Sequence, residues 1–520
     1  GNNQLDYSEF TGLDDDTFVF NPDTGEATGI NGTFTAINNA VNPVNILPLE
    51  LENQVRSDVS NNTEAETARE TERNIPTPEI NNLATVRDAG ESNELALLRR
   101  IDSSFTQDYN NYYGRNLESS QQNASAELGI NLAEVQQTLR TIEESTGAKP
   151  ALIYAAFFPS GIDALQGRNS NILPQADDGL ELVTITADGQ AKRRRIQGVT
   201  RAEVERSTRR LTNGVAGLQP ERLFMPHAQQ LYKWLIEPLK DDLQAQEISN
   251  LVFLMDSGLR SLPVAALHDG EQYLVQEYSV GLMPSISLTD TRYQNIGDVD
   301  LLAMGSETFP ADTALSALPA VPVEIEIITE ELWSGGSSFL DADFTIDNLK
   351  QTQSSQPFGI LHLATHAEFN PGTPKNSYIQ FGDRKLELDK VRELGLSNPQ
   401  VELMVLSACK TAVGDYDAEY GFAGLAHQAG VKSALGSLWY ISDQGTLSMM
   451  SKFYQELKSA PIKAEALRLA QVAMIEKQVR LEPGKLITPV QTFDLPENIE
   501  AIDLTHPFFW SPYTIVGNPW

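Results

Sequence analysis

Apolar residues recur in two alternating patterns from about residue 200 to the end of the chain. Short continuous apolar runs indicate buried strands, and apolar positions repeated every three or four residues indicate amphipathic helices. Because the two kinds of element alternate, the pattern predicts an α/β fold, a mostly parallel sheet with helices on both faces. The predicted helices are 201–212, 222–240, 322–333, 343–352, 419–429, 443–458 and 462–477. The predicted strands are 249–255, 299–304, 358–365, 401–408, 433–439 and 512–517.

The preceding residues, 91–220, mix helical and extended patterns. Apolar side chains recur at helical spacing within 91–147, and 151–158 is a continuous apolar run of strand length. Two further extended segments, 180–186 and 191–196, flank an Asp-Gly pair that is typical of a hairpin turn. We therefore predict a helical and hairpin region before the α/β part.

The first ninety residues differ in composition from the rest. Residues 1–90 are rich in Asn and carry 16 acidic but only 4 basic side chains. Residues 53–82, rich in Asn, Thr, Glu and Pro, are typical of a linker. The sequence thus predicts an irregular acidic head and linker at 1–90, a helical and hairpin region at 91–220, and an α/β domain at 221–520 with its core at 296–520.

Charge and composition exclude several classes of function. The chain has a formal net charge of −33, which disfavours binding to nucleic acids and to anionic membranes. Its one cysteine excludes an intrachain disulfide and a multi-cysteine metal site. No apolar run approaches the roughly 18 residues of a membrane-spanning helix. We expect neither a nucleic-acid nor a membrane partner.

No common cofactor motif is present. The chain contains no G-x-x-x-x-G-K-[ST], G-x-G-x-x-G, H-E-x-x-H or G-x-S-x-G sequence. Nothing therefore points to a nucleotide, a metal or another cofactor. The chain begins without Met and has no signal-peptide pattern, so we expect it to be part of a longer protein.

The single cysteine and one histidine stand at corresponding places in two predicted strands. Cys409 follows strand 401–408, and His366 follows strand 358–365. Because carboxyl ends of parallel strands share one edge of a sheet, the thiol and the imidazole are expected together. They are the two parts of a cysteine-nucleophile site. The alternative is that both are ordinary core residues; the polar, Gly-containing sequence after each favours a site.

Seven separated segments between about residue 220 and residue 520 agree, in order, with one known family. They are GLRSLPVAAL at 258–267, YLVQEYSV at 273–280, LHLATH at 361–366, LSACKTA at 406–412, GFAGLA at 421–426, SLWYISD at 437–443 and HPFFWSPY at 506–513. Together they resemble the CHAT domain, a caspase-like cysteine peptidase module of clan CD. The His–Cys spacing also suits caspase-like enzymes.

The resemblance implies a caspase-like sheet, preceded by a pseudo-caspase-like or helical region, and a peptidase whose dyad is His366 and Cys409. It implies that the Cys409 thiolate attacks and that the histidine protonates the leaving amine. The oxyanion would be met by the backbone N–H groups of Ala367 and Cys409. The family often has Gly after the histidine, where this chain has Ala367.

The residue preference at P1, the substrate position before the cleaved bond, is left open by this resemblance. The caspase signature Q-A-C-[RQG]-G is replaced by S-A-C-K-T, and Ser407 stands where metacaspases carry an Asp. An acid that selects a basic P1 side chain must then come from another loop at the same edge. Asp443 and Glu307, each just past a predicted strand, are the candidates. The alternative for Asp443 is a helix N-terminal acid.

His362 lies four residues before His366 and therefore on the same face of a regular strand. It could orient His366, but a separation of about 13 Å along the strand favours a core role instead.

Two classes of function follow. The first is an endopeptidase that acts on a protein or peptide substrate and that a regulatory partner could control. The second is a catalytically idle CHAT fold that serves as an interaction or effector module of a larger protein. The acidic head is similar to the tail of a β-helical adhesin-like region, as fused to CHAT domains in cyanobacterial proteins. Retention of both His366 and Cys409 favours the peptidase, since an idle fold needs neither.

Overall fold

The chain divides into two compact units, Gly1–Val86 and Arg87–Trp520. The computed structural model describes residues 19–21, 26–29, 32–35, 93–114, 131–159, 174–310, 313, 315–411, 415–496 and 499–520, with the backbone alone for 19–21, 26–29, 32–35, 93 and 408–411. The predicted linker at 53–82 lies outside these residues. In the first unit, β1 (Val19–Asn21), β2 (Glu26–Gly29) and β3 (Gly32–Thr35) form an antiparallel sheet.

The second unit contains one large sheet and one small antiparallel sheet. The large sheet contains β4 (Pro150–Phe158), β5 (Gly179–Thr186), β6 (Lys192–Thr200), β7 (Asn250–Met255), β8 (Ser279–Leu282), β9 (Leu301–Gly305), β10 (Ser337–Leu340), β11 (Ile360–Phe369), β12 (Tyr378–Gln380), β13 (Lys385–Glu387), β14 (Leu403–Thr411), β15 (Ser433–Ser437) and β19 (Tyr513–Gly517). The small sheet contains β16 (Arg480–Glu482), β17 (Lys485–Ile487) and β18 (Thr492–Asp494).

Helices flank the large sheet. In chain order, the α-helices of the described residues are α1 (Asn93–Tyr112), α2 (Leu132–Thr146), α3 (Arg201–Ala216), α4 (Glu221–Leu235), α5 (Lys240–Ala245), α6 (Leu274–Glu277), α7 (Val321–Glu326), α8 (Ile346–Ser355), α9 (Tyr416–Ala423), α10 (Leu425–Ala429), α11 (Asp443–Leu457), α12 (Lys463–Ile475) and α13 (Pro507–Trp510). None of the helices in the described ranges is both long enough and apolar enough to cross a membrane.

The large sheet has a mostly parallel topology in two parts. Its strand order is β10-β9-β11-β14-β15-β19-β8-β7-β4-β5-β6, with β12 and β13 attached to β11. The first five strands of this order are mutually parallel, and so are β8, β7 and β4. The strand β19 joins the two parts, since it runs antiparallel to β15 and parallel to β8. The predicted α/β fold with a mostly parallel sheet is confirmed.

Both faces of the sheet are buried, as expected for parallel strands covered by helices. Along β4 alternate residues enter two different hydrophobic clusters: Ala151 and Ile153 belong to the larger, and Leu152 and Tyr154 to the smaller. Because β4 pairs with β7, residues from 91–220 and from the later part of the chain share one sheet. The core is thus continuous across residue 220.

The prediction of one continuous helix at 222–240 and another at 419–429 was wrong, because each region is interrupted. The first ends at Leu235, and Pro238 stands in the single turn of 3-10 helix before α5, where it cannot donate a helical hydrogen bond. The second is interrupted at Gly424, where a Cβ would come within 2.7 Å of the Tyr113 hydroxyl. Pro238 constrains the backbone directly, whereas Gly424, which the close approach of Tyr113 requires, is a weak helix former.

Deletion of residues 1–85 is expected to leave a soluble, folded and active protein. The deleted stretch lies wholly within the separate first unit and has little patterned apolar sequence to add to the main core. The thermal unfolding midpoint and the peptidase activity of the truncated protein would be compared with those of the full chain. Aggregation, or a clearly lower midpoint, would contradict independence of the second unit.

Candidate active site

Four candidate residues lie at or just past the carboxyl ends of neighbouring parallel strands. Glu307 follows β9, His366 lies near the end of β11, Cys409 lies near the end of β14, and Asp443 follows β15. These strands are adjacent in the order β9-β11-β14-β15 and run in the same direction. The fold therefore brings these chain segments to one edge of the sheet, where α/β proteins assemble their sites.

The register between β11 and β14 places the two candidate catalytic residues diagonally. Ala367 is opposite Cys409, and His366 is opposite Ala408. With strands about 4.8 Å apart and a step of about 3.3 Å per residue, the Cα atoms of His366 and Cys409 lie about 6 Å apart. Both strands continue past these residues, to Phe369 and Thr411. Ala367 also pairs with Ile379 of β12, so the oxyanion role of its N–H remains a prediction.

A register shift in β11 separates the two histidines of this strand. Between Leu363 and His366 the pairing with β14 slips by one residue. The regular alternation that predicts a common face for His362 and His366 therefore does not extend across this point. His362 is fully buried and its described partners are Glu324 and Tyr454. The core role favoured for His362 agrees with these contacts.

His366 is held in a defined orientation and is 8% exposed. Its Nε2 lies 2.9 Å from the carbonyl oxygen of Ser316. Because a carbonyl only accepts, Nε2 carries the hydrogen and Nδ1 is the nitrogen left to accept a proton. The ring stacks on Tyr440 with centroids 6.0 Å apart, and the Phe309 ring lies 4.9 Å away on a tilt. Two aromatic rings and one carbonyl thus fix the imidazole.

Burial lowers the pKa of His366 below its usual value of 6.5. The hydrogen bond to the Ser316 carbonyl and the charge of Glu368 act in the opposite direction but are smaller. At neutral pH the imidazole is therefore uncharged, and it keeps its proton-accepting form to a more acidic pH than a solvent-exposed histidine. This is the form that a general base needs.

Asp443 lies beside the residues that hold His366. Its Oδ1 accepts a hydrogen bond from the Tyr440 hydroxyl at 3.3 Å, and its Oδ2 lies 3.5 Å from the backbone N–H of Ala320. Asp443 opens α11, but the cap is Ser442, whose hydroxyl accepts from the Gly445 N–H. Asp443 therefore lies in the first turn of α11 and is also part of the candidate site.

The carboxyl group of Asp443 has an unusually high proton affinity. Burial raises its pKa from 3.8 to about 6, and the charge of Glu324 adds to this effect. The hydrogen bonds from Ala320 and Tyr440 lower the pKa by less. An acid whose pKa is shifted towards neutrality by its surroundings, at the edge where a site is expected, is a candidate functional group.

The described hydrogen bonds of Glu307, the second predicted pocket acid, are made by its backbone. Its N–H donates to Asp341 Oδ1 at 2.9 Å, and its carbonyl accepts from the Leu318 N–H at 2.8 Å. These bonds brace the loop that also carries Ser316. The described contacts therefore connect Asp443 with the surroundings of His366, whereas those of Glu307 support the loop. No cluster of three metal-ligating side chains occurs within the described ranges.

Sequence reasoning did not find the residues that hold His366. Tyr440 lies within the SLWYISD segment and three residues before Asp443, so its place in a motif was a usable signal. Ser316 acts through its carbonyl, and any residue type supplies one. Phe309 lies in the loop after β9 without periodicity around it. For these two positions the sequence carries no signal.

Comparisons with known proteins agree with this architecture. The sequence model of the family described as CHAT domain matches residues 225–518, more than half of the chain. A search of the curated proteins gave no match.

Among solved structures, separase of Saccharomyces cerevisiae, in its complex with securin, is similar with 9% identity and a TM-score of 0.47, covering 82% of this chain and 34% of that one. This chain thus spans about a third of the separase chain. RgpB of Porphyromonas gingivalis, in a complex of its pro- and mature domains, is 13% identical with a TM-score of 0.34, covering 61% of this chain and 74% of that one. The Arg-specific cysteine proteinase gingipain R is 13% identical with a TM-score of 0.33, covering 61% and 73%.

Proposed function

The chain belongs to the CHAT domain family, and from this premise we propose that it is a cysteine endopeptidase cleaving a protein or peptide substrate with His366 and Cys409. The observation that carries the proposal is the pairing of β11 with β14. It puts Cys409 opposite Ala367, one position from His366. The strands bring the backbones that carry a thiol and a base to one sheet edge. Because successive residues of a regular strand face opposite ways, the proposed dyad also requires the chain to turn at Cys409 or His366 so that the two side chains meet.

His366 is suited to the role of base. Its Nε2 hydrogen is committed to the Ser316 carbonyl, so Nδ1 would accept the proton of the Cys409 thiol. The thiolate would then attack the carbonyl carbon of the scissile peptide bond, and its electrons would move to the carbonyl oxygen. His366 would return the proton to the departing amine, and water would hydrolyse the resulting thioester.

The P1 side chain would be read by Asp443. The Tyr440 ring lies against His366, and its hydroxyl donates to Asp443, so a side chain entering beside His366 would reach this carboxylate. An ionised carboxylate in a partly dry pocket binds a guanidinium or ammonium group through charge-assisted hydrogen bonds. We therefore favour Arg or Lys at P1.

Labelling with a thiol-directed probe tests the dyad without knowledge of the substrate. Wild-type Cys409 should label rapidly near neutral pH, because His366 removes the thiol proton. In His366→Ala the rate should fall by about 10²-fold, a typical contribution of general-base assistance. Because the chain has one cysteine, the label reports one site.

Tyr454→Phe serves as the control, since it changes a buried side chain on α11 whose described contacts are with His362 and two aromatic rings rather than with His366. Its labelling rate should equal that of the wild type. Equal rates in the wild type and His366→Ala would contradict the dyad and favour an idle CHAT fold that acts as an interaction module.

A further inference from the structure

The helix α9 follows β14 in the chain and also packs against the end of β11, so it borders both strands of the proposed dyad. Residues 412–415 connect β14 to α9. The Phe422 ring of α9 packs edge-on against Phe369 of β11, with the ring centroids 5.6 Å apart. Asp417 Oδ2 on α9 accepts a hydrogen bond from the Gly372 N–H, beyond the end of β11, at 3.1 Å.

A buried carboxylate of α9 is bound by the part of the sheet that contains β8, β7 and β4. Glu419 is 1% exposed, and each of its two oxygens accepts a hydrogen bond. The Gly258 N–H donates to Oε2 at 2.8 Å, and the Ser261 hydroxyl donates to Oε1 at 2.6 Å. Both donors lie in the turn that follows β7. Gly258 has φ +87°, a left-handed backbone that glycine adopts without strain.

Two neighbouring tyrosines of α9 are held from the same direction. The Tyr416 hydroxyl donates to Glu205 Oε1 on α3 at 2.7 Å. The buried guanidinium of Arg260, in the turn after β7, lies 4.3 Å from the centre of the Tyr420 ring. Positions 416, 419 and 420 are three and four residues apart, so they share one face of the helix. This whole face of α9 is therefore docked on the β7 side of the molecule.

The carboxylate fixes the position of α9 more closely than an apolar contact would. Burial of a charged group costs more free energy than burial of an apolar side chain of the same size, so its hydrogen bonds must be made with good geometry. Hydrogen bonds weaken steeply when their distance or angle changes, whereas apolar contacts tolerate sliding. Two such bonds at Glu419 therefore set both the place and the orientation of the helix.

The position of α9 matters because the proposed dyad depends on the course of the chain at the strand ends. A regular β14 would turn the Cys409 side chain to the same side as Ala367, opposite to that of His366. The chain must therefore turn for the thiol to meet the imidazole. Residues 412–415 span at most about 3.5 Å each, so the place of α9 limits where the chain leaving β14 can run.

We propose that Glu419 is a positioning residue of the proposed dyad. By binding Gly258 and Ser261 it fixes α9, and α9 fixes the course of the chain that leaves Cys409. The thiol is thereby brought to His366. The proposal rests on the proposed function, since it concerns the same dyad. It makes cleavage depend on a part of the sheet that carries neither member of that dyad.

The test measures how fast iodoacetamide labels Cys409 in the full chain near neutral pH. Ser261→Ala removes one donor to Glu419, whereas Ser257→Ala removes a hydroxyl of the same turn that contacts Asp256. Labelling should be about tenfold slower in Ser261→Ala, because a displaced thiol loses part of the general-base assistance. The rate in Ser257→Ala should equal that of the wild type.

A double variant separates positioning from a loss of stability. If Ser261 acts through the dyad, adding Ser261→Ala to His366→Ala should not slow labelling further, because the assistance is already absent. An effect through stability alone would be the same in both backgrounds. The thermal unfolding midpoint of each variant would be measured beside its labelling rate.

Two replacements of Glu419 test the hydrogen bonds themselves. In Glu419→Gln the amide oxygen can accept from the Gly258 N–H and the amide NH₂ can donate to the Ser261 hydroxyl, so labelling should stay within about threefold of the wild type. In Glu419→Leu neither bond can form, and labelling should fall by about tenfold or more. Both replacements remove the charge, so a difference between them reports the hydrogen bonds.

Different outcomes overturn different statements. Equal labelling of the wild type and His366→Ala would overturn the dyad, and this inference with it. Slow labelling of His366→Ala, together with an unchanged or faster rate in Ser261→Ala and Glu419→Leu, would overturn this inference alone. Equal slowing in Ser257→Ala, or further slowing in the double variant, would do the same, because the turn would then act through stability.

Discussion

Replacement of Cys409 by Ala is expected to abolish peptide cleavage, a loss of about 10⁴-fold or more, because removal of the nucleophile leaves only substrate binding and oxyanion contacts. The free energy of unfolding should change by about 1 kcal/mol or less, since one sulfur atom is lost. A peptide-library cleavage profile of the wild type, with Cys409→Ala as the control, measures the loss of cleavage. Denaturant unfolding measures the change in the free energy of unfolding.

Cys409→Ser gives a sharper version of the same experiment. A hydroxyl fills almost the same space but is far less ionised than a thiol at neutral pH, so this variant should also be nearly inactive. Full activity of either variant would show that Cys409 is a core residue and that another nucleophile acts. Inactivity combined with a large loss of stability would leave the thiol with a structural role.

The elements that position the site are those that the sequence predicts best. The strands β11 and β14 begin with mostly apolar segments that are buried, and such segments bounded by polar, Gly-containing sequence are typical of the central strands of a parallel sheet. Their adjacency agrees with the tendency of strands that follow each other in a parallel sheet to lie side by side. For this reason His366 and Cys409 could be assigned to one sheet edge from the sequence alone. The short strands β8 and β10, of four residues each, escaped prediction because so few residues carry no periodicity.

The surroundings of His366 were not predictable for a different reason. Ser316 contributes a carbonyl and Phe309 a ring from an irregular loop, so their contacts depend on the tertiary path of the chain. Glu324 did leave a signal: it is an acid on the buried face of α7, between Val321 and Ile325. A charged residue on an apolar face indicates a buried partner, but the sequence does not identify it as His362.

The pairing of Asp443 with a cationic P1 side chain leads to the second large effect. Asp443→Asn should reduce kcat/KM for substrates with Arg or Lys at P1 by about 10²-fold or more, since removing one partner of a desolvated charge pair costs about 2–5 kcal/mol. Probe labelling of Cys409 should persist, because neither His366 nor the thiol is altered. Peptides with a neutral P1 residue should lose little.

The pH dependence separates this role from a structural one. With an Asp443 pKa of about 6, cleavage after Arg or Lys in the wild type should decline as the pH falls through 6, whereas the remaining activity of Asp443→Asn should lack this step. Because the folded-state pKa is raised above the unfolded value of 3.8, ionised Asp443 costs stability as the pH rises through this range. The Asn variant should therefore be at least as stable as the wild type at pH 7.

Glu307→Gln is the matched control at the same edge of the sheet. It removes one negative charge from the residue whose described contacts are made by its backbone, so cleavage after basic residues should stay close to the wild-type value. Unchanged cleavage in both Asp443→Asn and Glu307→Gln would remove the argument for a basic P1 residue. A small or apolar side chain would then be the better fit, because an uncharged Asp443 at the pocket wall imposes no demand for a cation.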